Sequence, residues 1–157
     1  MSDEWLIDGY NLLHSLKVGA EKEFLSSRSA FLERLASFAS STGSHVLVVL
    51  DGKAQDAELE SYRTQFFQVI FSQDVSADCC IEKYLYEKRG QSSIMVVTKD
   101  RAISNMARGS GARVMANEQF IRLLQSIVKE TKNILFEREV DSRKFHRPFE
   151  DKLKDFK

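Results

Sequence analysis

Cysteine is nearly missing from this chain of 157 residues, and its two copies, Cys79 and Cys80, are neighbours. Adjacent cysteines build neither a disulfide framework nor the spaced ligand pairs of a zinc site. They read as small helix residues in a reducing compartment, so the cytoplasm is the expected location. No apolar run approaches the roughly 18 residues that a membrane helix needs, and no membrane partner is expected. The start, Met1-Ser2-Asp3-Glu4, is acidic and leads almost at once into a strand. That fits neither a secretory signal nor a transit peptide. Excess charge is missing as well: 23 Lys and Arg balance 23 Asp and Glu. A chain that grips nucleic acid unaided usually carries a broad basic surface. Here only local basic patches are open, which suits a nucleic acid presented by something else. There is no Gly-x-x-x-x-Gly-Lys-[Ser/Thr] phosphate loop and no Gly-x-Ser-x-Gly nucleophile elbow. His14, His45 and His146 are far apart, without metal-type spacing.

What is present reads as one globular domain with a charged extension. The chain is 43% hydrophobic and 29% charged, which is ordinary for a folded domain. Its length can bury a core without disulfides or a structural metal. Strands are expected at Trp5 to Asp8, Val46 to Leu50, Phe66 to Phe71, Ile94 to Thr98 and Ala112 to Met115. Helices are expected at Phe24 to Ser41, Ala77 to Lys88, after Asp100 to about Arg108, and from Asn117 to about Glu130. Ser76 is the expected N-cap of the second of these. The stretch Gln55 to Tyr62 is left as helix or loop. This alternation predicts a mostly parallel sheet of about five strands, covered on both faces. The domain is taken as residues 1–131 and the extension as residues 132–157, which hold the only proline, Pro148. The extension either docks on the domain or orders with a partner.

Four carboxylates stand where these elements meet. Asp8 and Asp51 close the first two strands, Asp100 follows the fourth, and Asp78 lies in the first turn of the helix after the third. Each has a plain structural explanation when taken singly. Asp8 and Asp51 precede glycine, a common turn. Asp78 suits a helix dipole, and Asp100 suits an N-cap. The joint pattern carries more. Open α/β sheets bind ligands at the carboxyl ends of their strands. Acids gathered there repel one another unless a cation joins them. Mg²⁺ and Mn²⁺ take such hard oxygen ligands, and one or two of these ions activate water against a phosphodiester. A metal-dependent phosphodiesterase is therefore the leading expectation.

Further candidates follow from position. Glu82 is one helical turn beyond Asp78, as an additional ligand through water or as a solvated surface residue. Asn11 is placed to bond a phosphate oxygen or to orient Asp8, or simply to start a helix. Thr98 is placed to bond a carboxylate or a phosphate, or is merely a β-branched strand residue. Lys53, Lys99, Arg101 and Arg108 are phosphate contacts on position alone, against the plain reading of solvated charges. His14 lies near Asp8 in sequence, but a lone histidine is usually structural. The competing class is a non-catalytic adaptor that binds RNA. A receiver-type domain ranks low, because only Asp8 stands at the first strand.

The segment Trp5-Leu6-Ile7-Asp8-Gly9-Tyr10-Asn11-Leu12 resembles the opening of NYN-domain proteins, in the PIN-like nuclease group. Val48-Val49-Leu50-Asp51-Gly52, Ser76-Ala77-Asp78-Cys79-Cys80-Ile81-Glu82 and Val96-Val97-Thr98-Lys99-Asp100 resemble that family's next three motifs, in order. The likeness is to the bacterial YacP-like branch, which includes ribosome-associated messenger RNA endonucleases, and covers roughly residues 5 to 130. It implies a three-layer α/β/α PIN-like fold and an endoribonuclease dependent on Mg²⁺ or Mn²⁺. It implies Asp8, Asp78 and Asp100 as acidic ligands, Asp51 as the fourth member of the cluster, and Asn11 as a positioning group. Single-stranded messenger RNA is the expected substrate, because a narrow cleft needs a backbone that bends into it. The ribosome is the further partner that the resemblance implies. The tail departs from that branch, whose members end in a basic segment with a tryptophan.

Overall fold

A strand buried on both faces needs apolar side chains at nearly every position. Three runs meet that need and form β1 (Glu4–Asp8), β2 (His45–Leu50) and β4 (Ile94–Val97). The edges are β3 (Phe67–Phe71), where Gln68 faces solvent, and the short β5 (Arg113–Met115). The computed structural model describes residues 4–17, 28–53, 63–90 and 93–154. All five strands pair in parallel, in the order β3-β2-β1-β4-β5. The sheet expected from the sequence is thus present and wholly parallel.

The order sets the site. The chain steps outward from β1 to β2 to β3, then returns to lay β4 on the other side of β1. Between β1 and β4 the sheet has its switch point, where a crevice opens at the carboxyl ends. The register brings the ends level. Asp8 lies opposite Val49, two residues before Asp51, and Ile7 lies opposite Val97, one residue before Thr98.

Five helices are described: α1 (Gly9–Lys17), α2 (Arg28–Thr42), α3 (Ala77–Glu87), α4 (Arg101–Gly109) and α5 (Asn117–Lys154). Alternate strand residues serve opposite faces. Leu6, Leu47, Val49, Ile94 and Val96 pack with Ala77, Ile81 and Leu85 of α3 and Ile103 and Ala107 of α4. On the other face Trp5 meets Phe38 of α2 and Phe120 of α5, with ring centroids 5.3 and 5.4 Å away. Phe38 and Phe120 meet edge to face at 5.2 Å, a favoured geometry for ring quadrupoles. The result is the three-layer α/β/α fold.

Two elements differ from the expectation. The pair Asp8-Gly9 reads as a turn in the sequence, but α1 begins there with no linker. Gly9 makes this fit: a Cβ on it would run into Leu50 Cδ2 and stand 2.9 Å from the Val49 carbonyl oxygen. The last helix does not stop near Glu130 but continues to Lys154. Glu, Lys, Arg and Leu are good helix formers, and they carry the helix past Pro148, the residue in this run that most opposes it. The expected helical residues 24–27 and the segment 55–62 lie outside the described residues. The chain divides into two compact units, Met1–Ile121 and Arg122–Lys157, and the sheet belongs to the first. Among the described residues no helix is long and apolar enough to cross a membrane.

Candidate active site

Asp8 is the last residue of β1 and is only 7% exposed. Its carboxylate accepts the Thr98 hydroxyl at 3.4 Å and the backbone N–H of Asn11. The second bond is an N-cap on α1, a structural role in place of the turn that the Asp-Gly pair suggested. Thr98 is buried just beyond β4, and its Oγ1 also accepts the Asp100 N–H at 3.1 Å. Asp100 in turn caps α4, accepting the Ile103 N–H at 3.0 Å. The run Asp8–Thr98–Asp100 bridges the switch point between β1 and β4.

Asp51 performs a different local task. Its Oδ1 accepts the Ala77 N–H at 2.6 Å and the Ser72 hydroxyl at 3.4 Å. The end of β2 is thereby tied to the first residue of α3. Ser72 is held in place by its own N–H on the Leu50 carbonyl at 2.9 Å and by the Gly52 N–H on its Oγ at 3.1 Å. Ser76 caps α3 as expected, accepting the Cys79 N–H at 3.2 Å. Asp78 in the first turn of α3 is set by these ties.

The four carboxylates feel one another. Burial pushes the Asp8 carboxyl up to about 6 from 3.8, and the charges on Asp78 and Asp51 push the same way. The Thr98 hydroxyl and the Asn11 N–H oppose the rise without cancelling it. Asp78 is also raised, by burial first and then by Asp100 and Asp51. Every one of Asp8, Asp51, Asp78 and Asp100 therefore belongs to one repulsive set. Glu82 is exposed one turn beyond Asp78 and is not among the charges that raise either acid.

The donor set is all hard oxygen, which fits a small divalent cation. Among the described residues no three His, Cys, Asp or Glu side chains close into a metal-holding group. Mg²⁺ does not require that closure. It usually takes one or two carboxylates and completes its octahedron with water and substrate phosphate. The residues present fit such an ion.

The remaining candidates separate. Asn11 joins the site: its Oδ1 accepts the Lys99 N–H at 3.0 Å and the Asn117 amide at 2.8 Å. Lys99 and Arg101 are exposed at the start of α4, beside Asp100. Lys53 pairs with Asp74 at 3.0 Å, on the surface. His14 is exposed on α1. Sequence reasoning treated Asn117 only as a helix start, yet it is fully buried and reaches α1. It also passed over Arg28, whose guanidinium lies 5.4 Å over the Phe71 ring and donates to the Tyr10 hydroxyl at 3.5 Å. No local motif marks either residue, because their partners lie far away in the chain.

The YacP-like NYN domain model matches residues 5–156. The chain belongs to the YacP-like NYN domain family. Membership puts this NYN domain in an RNA-nuclease family with the PIN-like fold. The match reaches through α5, beyond residue 130, where the resemblance read from the sequence ended. Rae1 (YacP) from Bacillus subtilis is a solved structure similar to it, with 24% identity and a TM-score of 0.70. That alignment covers 98% of this chain and 92% of the other. A tryptophan-to-leucine mutant of Rae1 aligns at 25% identity and TM-score 0.69, over 87% of this chain and 83% of that one. No curated protein matches the chain.

Proposed function

We propose that this NYN domain is a metal-dependent endoribonuclease that hydrolyses phosphodiester bonds in single-stranded RNA. Messenger RNA on the ribosome is the substrate we favour, and the cytoplasm the compartment. The observation that carries the reading is the repulsive set at the switch point, with the Asp8 carboxyl pushed up to about 6. Repulsion of this kind costs stability and is relieved by a cation. Asp8, Asp78 and Asp100 would hold Mg²⁺ or Mn²⁺, with Glu82 contributing through water. The bound ion would supply an acidified water and neutralise charge on the phosphate.

The chain's own residues have distinct tasks in this proposal. Asp8 is central, and Thr98 fixes its rotamer by hydrogen bonding. Asp51 holds the N-terminus of α3, and with it Asp78, at the edge of the sheet. Asn11, Lys99 and Arg101 contact the phosphates of the substrate. A balanced net charge fits RNA delivered by a larger assembly rather than captured from solution.

One observation favours the non-catalytic adaptor as second reading, namely that no three acids close into a metal-holding group among the described residues. A cleavage assay separates the two. Wild type and Asp8→Asn are incubated with single-stranded RNA in Mn²⁺, Mg²⁺ or chelator, with and without translating ribosomes. Cutting that needs metal and is lost in Asp8→Asn is expected. RNA bound but never cut, with or without ribosomes, puts the adaptor first.

A further inference from the structure

Asn11 and Asn117 form a directed hydrogen-bond chain whose polarity can be assigned from one fixed donor. The Lys99 backbone N–H points at the Asn11 side chain at 3.0 Å. A backbone N–H only donates, so the Asn11 atom facing it must be the oxygen. The same oxygen lies 2.8 Å from the Asn117 amide, whose facing atom must then be nitrogen. The rest of the network agrees. The Asn117 nitrogen also lies 2.8 Å from Ser15 Oγ and 3.2 Å from the Asn11 carbonyl oxygen. Ser15 spends its hydroxyl hydrogen on that same carbonyl at 3.3 Å, leaving Oγ as acceptor. Turning the Asn117 amide over would set its oxygen against carbonyl oxygens on Asn11. Its own Oδ1 stays buried without a partner among the described residues, a cost that a well-built interior normally avoids. The geometry holds the unfavourable oxygen so that the nitrogen can face Asn11.

Two donors saturate the Asn11 oxygen, which leaves the Asn11 NH₂ without a partner among the described residues. Asn11 touches Asp8 through its main-chain N–H, so the NH₂ is not needed there. We infer that Asn117 is a positioning residue that locks Asn11 as a hydrogen-bond donor, and that this donor takes a non-bridging phosphate oxygen of the RNA strand. The lock excludes the alternative in which Asn11 offers its oxygen to a cation. This rests on the ribonuclease reading and gives Asn11 a defined polarity within it.

The test uses binding of a short single-stranded RNA in Mn²⁺, followed by fluorescence anisotropy in an Asp8→Asn parent that cannot cut. Asn11→Asp keeps the acceptor for Lys99 and Asn117 but removes the donor. It should melt within a few degrees of the parent and bind RNA at least about tenfold more weakly, from the lost bond to a charged group and from repulsion between the new carboxylate and the phosphate. Asn117→Leu removes the lock and should weaken binding by about threefold or more in the parent. In an Asn11→Asp background it should weaken binding no further, because the donor is already gone. Equal weakening by Asn117→Leu in both backgrounds would make it a general structural residue and overturn the inference. So would unchanged RNA affinity in Asn11→Asp, which also decides the matter if Asn117→Leu does not fold. Metal-dependent cutting by wild type alongside an unaffected Asn11→Asp sinks this inference alone. A parent that binds no RNA and a wild type that cuts none sink the proposed function, and this inference with it.

Discussion

Asp8 is both a helix cap and a strained member of an acidic set, and these two roles have opposite consequences for stability. As a cap it stabilises α1. As a buried carboxyl raised to about 6 from 3.8, it holds a proton in the folded chain that the unfolded chain has already released. Stability therefore falls as pH rises through that interval, and the loss is complete above it. Asparagine caps a helix as well as aspartate does but has nothing to titrate. In chelator, metal-free wild type should lose on the order of 2–3 kcal/mol against Asp8→Asn between about pH 4 and about pH 7. Thermal melts of both proteins across that range would read this as a growing gap in midpoint, with Asp8→Asn the more stable at neutral pH. A gap that does not change with pH would mean that the carboxyl is not perturbed. At this scale the sequence was informative about identity and silent about linkage. All four aspartates could be picked out, because each sits at an element boundary that periodicity and turn residues mark. The bonds Asp51–Ala77, Thr98–Asp8 and Asn11–Asn117 could not, since they join residues 26, 90 and 106 positions apart.

Elements bring those residues together, and two junctions carry most of the precision. At the first, β1 passes into α1 at Gly9 without a connecting loop. Gly9→Ala sets a methyl group against Leu50 Cδ2 and 2.9 Å from the Val49 carbonyl oxygen. The backbone oxygen of a central strand cannot yield as a side chain would. Urea unfolding should show a loss of about 3 kcal/mol, at the upper end of usual overpacking costs. A loss below about 1 kcal/mol would mean that α1 can slide on the sheet. At the second junction, Asp51 ties β2 to α3. Asp51→Asn keeps a carbonyl oxygen for the Ala77 N–H, whereas Asp51→Ala leaves that donor unpaired. Asp51→Ala should cost about 1–2 kcal/mol in unfolding and lower cleavage by releasing Asp78, while Asp51→Asn should stay within about 1 kcal/mol of wild type. Equal stability of the two variants would show that the tie contributes nothing. Neither junction was readable as such. The sequence shows an Asp-Gly pair at both, and only the packing reveals that one starts a helix and the other reaches across to one. The length of α5 was hidden for a related reason: a charged tail without an apolar period carries no sign of where its helix ends.

For the molecule as a whole, a metal ion held by these carboxylates would be linked to folding, without being needed for it. The first unit folds on apolar contacts that owe nothing to a metal: Leu6, Val49, Ile81 and Val96 on one face, and Trp5, Phe38 and Phe120 on the other. The metal-free chain should therefore be folded, and carry the acidic repulsion as a standing cost. A cation that binds only the native site adds stability by mass action, about 2.7 kcal/mol at a free concentration of 100 times its dissociation constant. For a chain of this size that corresponds to a rise of about 5–10 °C in melting temperature. Mn²⁺ and Mg²⁺ should both produce it in wild type, and chelator should reverse it. The triple variant Asp8→Asn, Asp78→Asn, Asp100→Asn keeps the shape of the Asp8 and Asp100 caps and removes three of the charges. It should melt above metal-free wild type and then not respond to either ion. The two halves of that result come from one cause, since the repulsion removed by substitution is the repulsion that the ion would have relieved. A triple variant that still gains several degrees from Mn²⁺ would place the ion elsewhere on the molecule, and the acids at the switch point would then serve the starts of their helices and nothing more.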